Sequence, residues 1–291
     1  MAPQRDSVVV ESSHRYGVFG TRRLTVAGRG VPIVLLHGFA DTADTWRGVL
    51  AGLADRGHVG LAVDVRGFGA ADPFSPGPLL PQLDTFVDAV LEDVGPAVLV
   101  GNSLGVAMAV RAAQRCPAAV VGLVALNEPV LSEDWRARLA RGVFGRAAPW
   151  LMRRIPLPAR LVRPAVAGAV RLLYADPRSA DPAVTSAWSG RYGNRDGAAW
   201  VVGHAVRFGL ETRDGYGPRP VTCPVLIMHG RKDRIIAPRA GLALHRAIPG
   251  SEFVLLPRAG HCPQLDDPAG IACAITDFID ARVGRDGEAA G

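Results

Sequence analysis

Lysine is almost missing from this chain of 291 residues: Lys232 is the only one, and arginine supplies the other basic side chains. The bias reads as codon composition rather than as the mark of a particular partner. Cysteine is scarce as well. Cys116, Cys223, Cys262 and Cys273 include no CxxC pair and stand near no histidine at zinc-ligand spacing. That excludes a zinc module and a disulfide scaffold, and fits a reducing compartment. No uncharged apolar run approaches the roughly 18 residues needed to cross a bilayer. Residues 1–13 carry Arg5 but neither an apolar core nor a small-residue cleavage site, so no secretory signal is expected. The expectation is a soluble, cytoplasmic protein. Hydrophobic residues make up 48% and charged residues 21%, which excludes a disordered or collagen-like chain. The length suits two units of roughly 150 residues or one large α/β fold.

The net charge of +6 is not spread evenly. Between Glu128 and Thr212 there are 13 Arg against 7 Asp and Glu, so the whole surplus lies mid-chain. From Arg138 to Ala175 eight Arg alternate with Trp150, Leu151, Met152, Ile155, Leu157 and other apolar residues, without one acid. We read this as a helical cap with its apolar stripe inward and its arginines solvated. Contact with an anionic membrane surface ranks second. Nucleic acid is not expected, because no binding motif accompanies the charge.

What is present is an alternation of short apolar runs with helical patterns, the signature of βαβ units and a mostly parallel sheet. Strands are predicted over 7–12, 22–27, 33–36, 59–63, 97–100, 120–126, 225–228 and 252–256, and helices over 46–56, 83–93, 104–115, 240–247 and 271–283. The alternation stops between Leu131 and Gly209, where several helices broken by prolines are expected as an insertion. The tail 284–291 reads as disordered.

The chemistry concentrates at strand ends. Gly101-Asn102-Ser103-Leu104-Gly105 lies directly between a predicted strand and a predicted helix. In that context a G-x-S-x-G sequence reads as a nucleophile elbow, a strained turn whose neighbours must lack Cβ atoms so that backbones can approach. The Ser103 hydroxyl would then project at a helix N-terminus, where the dipole favours developing negative charge. A serine needs an adjacent base. Of seven histidines, His261 stands in the loop after the last strand, on the side where ligands bind in open α/β sheets. Asp233, just past the strand 225–228, is the expected acid that orients the imidazole. Glu128, after the strand 120–126, is the rival for that role. The backbone N–H groups of Phe39 and Leu104 are the expected oxyanion donors. His37 reads as a packing and loop-shaping residue, and Asp64 and Arg66 as loop braces.

At these residues the sequence resembles the α/β-hydrolase superfamily. His37-Gly38-Phe39, Asp64-Val65-Arg66-Gly67-Phe68-Gly69, Gly101 to Gly105, His229 to Asp233 and Gly260-His261 match its motifs in order. The resemblance implies an eight-stranded, mostly parallel sheet flanked by helices, with a helical cap between strands 6 and 7. The core would comprise 1–129 and 213–291, and the cap 130–212. It implies a serine hydrolase of a carboxylic ester, lactone or thioester of a small hydrophobic molecule, needing neither cofactor nor metal. Ser103 argues against dehalogenase and epoxide-hydrolase activity, in which relatives carry Asp. Trp150, Met152, Trp188 and Trp200 are the expected apolar lining of the pocket. Three alternatives stand beside this reading. One is a carbon–carbon bond hydrolase of a vinylogous diketone, which Asn102 before the nucleophile resembles. The others are a secondary-metabolism tailoring enzyme and a weakly catalytic ligand-binding receptor. The sequence leaves oligomeric state open.

Overall fold

The computed structural model describes residues 9–131, 142–154 and 158–284. Positions 7 and 8 of the first predicted strand, Arg138, Arg141, Ile155, Leu157 and nearly all of the predicted tail lie outside them. The strands are β1 (Val10–Tyr16), β2 (Phe19–Val26), β3 (Arg29–Leu36), β4 (His58–Val63), β5 (Ala97–Asn102), β6 (Val120–Leu126), β7 (Val225–Gly230) and β8 (Glu252–Leu256). They form one eight-stranded sheet in the order β1-β2-β4-β3-β5-β6-β7-β8. The pairs β1–β2 and β2–β4 are antiparallel and all the others parallel.

The inner strands are apolar on both faces, as strands covered on both sides must be. Along β3, alternate side chains serve opposite layers. Val34 and Leu36 join the core beneath α2 (Leu79–Val94) and α3 (Leu104–Arg115). Ile33 and Leu35 join the core beneath α1 (Arg47–Asp55) and the C-terminal helix. Helix α2 starts four residues earlier than predicted. Pro81 falls within its first turn, where the missing amide hydrogen costs nothing. β8 closes one edge of the sheet, and Val254 and Leu255 on it are about two-fifths exposed.

Between β6 and β7 the described residues form α4 (Val143–Arg154), α5 (Ala159–Arg171), α6 (Pro182–Tyr192) and α7 (Arg195–Glu211). After β7 come α8 (Arg239–Ala247), a single turn at Pro263–Asp266 and α9 (Pro268–Arg282). The apolar stripe of this helical layer is only partly inward. Val162 and Val170 are buried, but Trp150, Leu151, Leu161 and Leu172 are exposed, contrary to expectation. The reason is geometric: α4 packs on α7 and α5 on α6, so each outer helix covers only one of its faces. Glu211, at the end of α7, accepts hydrogen bonds from the Leu79 and Leu80 amides at 2.9 and 2.8 Å and so caps α2. Among the described residues no helix is long and apolar enough to cross a membrane.

Among the described residues Trp46 is the largest fully buried side chain, in the layer with α1 and α9. Trp46→Ala is expected to lower the free energy of unfolding by about 3–5 kcal/mol, measured by urea denaturation, because the sheet cannot collapse into the void.

Candidate active site

Ser103 sits where β5 ends and α3 begins, with φ +52° and ψ −114°. A non-glycine residue holds such a conformation only when its surroundings enforce it. Close packing does so here. A Cβ at Gly105 would lie 2.1 Å from the Leu36 carbonyl oxygen, and one at Gly101 would lie 2.3 Å from the Gly105 backbone. The Ser103 amide donates to the Leu126 carbonyl at 3.0 Å, which ties the turn to β6.

His261 and Asp233 arrive from separate loops. His261 Nδ1 lies 2.8 Å from Asp233 Oδ2, and both side chains are nearly or fully buried. Ser103 and His261 line the same cavity of about 370 Å³. Burial opposes the charge on Asp233. His261 nearby, with hydrogen bonds from His229, His261 and Asn127, outweighs it and holds the carboxyl far below the usual range. The other oxygen, Oδ1, accepts from the Ile235 and Ile236 amides at 2.7 and 2.9 Å. Phe39 and Leu104 border the same cavity. Leu104 opens α3, so its amide has no acceptor within the helix.

Two asparagines hold these loops together, and the sequence reading assigned neither that role. Asn127 Nδ2 donates to Asp233 Oδ2 at 2.6 Å and to the Gly260 carbonyl at 3.0 Å. Its φ of +58° at the end of β6 is the kind of backbone asparagine tolerates, and that position beside β5 was the available signal. Asn102 Nδ2 donates to the His261 carbonyl at 2.9 Å, which locks the histidine loop onto β5.

The remaining candidates take structural places. Glu128 is fully buried but turned away from His261: its carboxylate accepts from the Val130 amide, the Leu131 amide at 3.0 Å and the Tyr216 hydroxyl at 2.6 Å. His37 accepts from the Val65 amide at 2.8 Å through Nε2, so Nδ1 carries the hydrogen and donates to the Gly38 carbonyl at 2.7 Å. Burial lowers its pKa to about 4, which keeps it neutral. Asp64 accepts from the Ala43 and Ala70 amides, both at 2.7 Å, and pairs with Arg22. Arg66 reaches the Pro73 carbonyl and Ser75. Of the aromatic and thioether candidates, Trp188 borders the Ser103 cavity and Met152 lines a neighbouring apolar one. Trp200 instead packs against Phe68, Tyr192 and His204, and Trp150 is exposed with Arg154 over its ring.

A family model described as the alpha/beta hydrolase family matches residues 33–274. The chain belongs to that family. Among relatives of this hydrolase, an uncharacterized protein of Mycobacterium tuberculosis is 30% identical over 90% of this chain and 80% of its own length. A pimeloyl-acyl-carrier-protein methyl ester esterase of Methylococcus capsulatus is 29% identical over 88% and 97%. A 2-hydroxy-6-oxo-6-(2'-aminophenyl)hexa-2,4-dienoic acid hydrolase of Metapseudomonas resinovorans is 25% identical over 97% and 95%.

Burial raises the Glu128 pKa from its ordinary 4.5 to about 7. Because the folded state binds this proton more tightly, the stabilisation is complete below pH 4.5 and is lost as pH rises through 7. Urea unfolding across that window should show wild-type stability falling more steeply with pH than that of Glu128→Gln.

Proposed function

We propose that this hydrolase cleaves a carboxylic ester, lactone or thioester through an acyl-enzyme, with Ser103 as nucleophile, His261 as base and Asp233 as the orienting acid. The observation that carries the reading is the buried His261–Asp233 bond of 2.8 Å opening onto the cavity that Ser103 lines. With Nδ1–H donated to Asp233, the His261 Nε2 lone pair is left to take the Ser103 proton as its oxygen attacks the carbonyl. Negative charge moves to the carbonyl oxygen, where the Phe39 and Leu104 amides would receive it, each worth roughly 3–4 kcal/mol of barrier. The imidazolium then gives its proton to the departing alcohol or thiol. Water repeats the sequence to free the acid and regenerate Ser103.

In this reading, residues 130–212 act as the cap, and the apolar groups it brings over Ser103, Ala169, Leu173, Val201 and Phe208 among them, suit a hydrophobic acyl or ring group. The methyl ester esterase among the relatives supports the ester class. A second reading, hydrolysis of the carbon–carbon bond of a vinylogous diketone, is favoured by the dienoic acid hydrolase relative and by Asn102 before the nucleophile. The same three residues would serve it, and the substrate spectrum separates the two.

Ser103→Ala is expected to reduce hydrolysis of p-nitrophenyl butyrate by at least about 100-fold and to abolish labelling by a fluorophosphonate probe. A variant that keeps its rate and its label would overturn the assignment. Asn127→Ala, which removes a charge-assisted bond to Asp233, is expected to lower kcat/KM on the same ester by about 10–100-fold with the fold intact by circular dichroism.

A further inference from the structure

The Ser103 cavity is one of three that meet at a single side chain. Trp188 borders it, an apolar chamber of about 440 Å³ within the helical layer, and a larger chamber of about 740 Å³. The apolar chamber also shares Ala169 and Val201 with the Ser103 cavity, so it extends that cavity in kind. The larger chamber is different. It shares Ala40 and Asp41 with the Ser103 cavity, and its wall includes Gln264 and Leu265 from the turn that follows His261 and Cys262.

The polar groups of this chamber fall into two sets. Its arginines, Arg22, Arg47 and Arg191, are matched by as many carboxylates besides Asp41, namely Asp44, Asp64 and Asp181. Arg22 and Arg47 are bonded to Asp44, and Arg22 also to Asp64. The wall therefore offers little net charge to an ionic ligand. Asp41 and Gln264 form the second set. Gln264 is 1% exposed and donates through Nε2 to Thr45 and Asn102, while its Oε1 has no hydrogen-bond partner. Asp41 is 6% exposed, and burial pushes its carboxyl up to about 7, against opposing contacts from Thr42, Thr45 and Trp188. A buried carbonyl lacking a donor is costly, and a carboxyl that holds its proton up to about pH 7 can both donate and accept below that pH and accept above it. Together they complement hydroxyl groups.

The position of this chamber sets which part of a substrate it meets. His261 must protonate the departing oxygen, and the chamber's wall includes Gln264 and Leu265 of the helical turn that directly follows His261 and Cys262. We propose that the larger chamber receives the leaving-alcohol arm of the substrate, and that Asp41 and Gln264 select an arm bearing hydroxyl groups over an all-carbon one. The proposal rests on the hydrolase reading above. The substrate would then be an ester of a hydrophobic acid with a neutral, hydroxylated alcohol: its acyl part in the Ser103 cavity and the apolar chamber, its alcohol part beyond Trp188.

A matched pair of esters tests this: propyl hexanoate and 2,3-dihydroxypropyl hexanoate, which differ only in two hydroxyls. Wild-type kcat/KM is expected to favour the dihydroxypropyl ester by about tenfold or more, because a site built to bond a hydroxyl rejects the analogue that lacks it. Asp41→Leu and Gln264→Leu should each reduce that ratio below about threefold. Asp41→Asn, which keeps a neutral donor and acceptor, should preserve it. Calorimetric titration of both esters into the Ser103→Ala protein reads the same discrimination without turnover. Equal kcat/KM or equal Kd for the two esters overturns the proposal, as does a preference that survives in both leucine variants. Failure of the hydrolase reading looks different: neither ester turns over and the fluorophosphonate leaves Ser103 unlabelled, while the titration still reports on the chamber.

Discussion

A carboxylate with no exposed side-chain surface lies at the C-terminal edge of the sheet, and much of the local architecture exists to keep it ionised. Removing such a charge from water costs several kcal/mol unless hydrogen bonds replace the solvent. Asp233 receives them from four directions: two amides of its own loop, the Asn127 amide group, the His261 ring and the His229 ring. Each donor comes from a different part of the chain, so satisfying one anion also fixes the end of β6 and the loops after β7 and β8. The arrangement that stabilises the charge is the one that orients the imidazole.

Asn102 plays the matching part on the neighbouring strand. It is fully buried beside Ser103 and holds the backbone of the histidine loop, so Ser103 and His261 are kept over one cavity by a bond to the His261 carbonyl that leaves the imidazole ring free of it. Close backbone contact on the other side, where only glycine fits against Leu36, keeps the serine in its strained conformation. Hydrogen bonding and steric exclusion thus act on the same turn from opposite sides.

Legibility in the sequence followed the range of the interaction concerned. The elbow and the parallel strands depend on neighbours close in the chain, on glycine spacing and apolar runs, and those can be read directly. Ser103, Asp233 and His261 emerged from chain order joined to strand-end positions. Asn127, Gln264 and Glu211 did not, because their partners lie 106, 162 and 132 residues away and no local pattern marks them. Helix α2 begins at Leu79, ahead of the predicted 83, because Pro81 in the first turn lacks only an amide that has no acceptor there. The arginine-rich helices misled in the other direction. Their periodic apolar stripe implied a fully covered face, whereas a helix in an outer layer has neighbours on only part of its circumference.

The bond between Glu211 and the first amides of α2 gives the helical layer an unequal footing on the sheet. Swinging α7 outward would withdraw the anion from one end of a sixteen-residue helix and leave two donors bare, so any movement of α7 is felt in the scaffold beneath it. That helix is one mooring of the layer; another is Leu173–Ala175, where the Leu173 carbonyl accepts from the His261 and Cys262 amides at 2.8 and 3.0 Å.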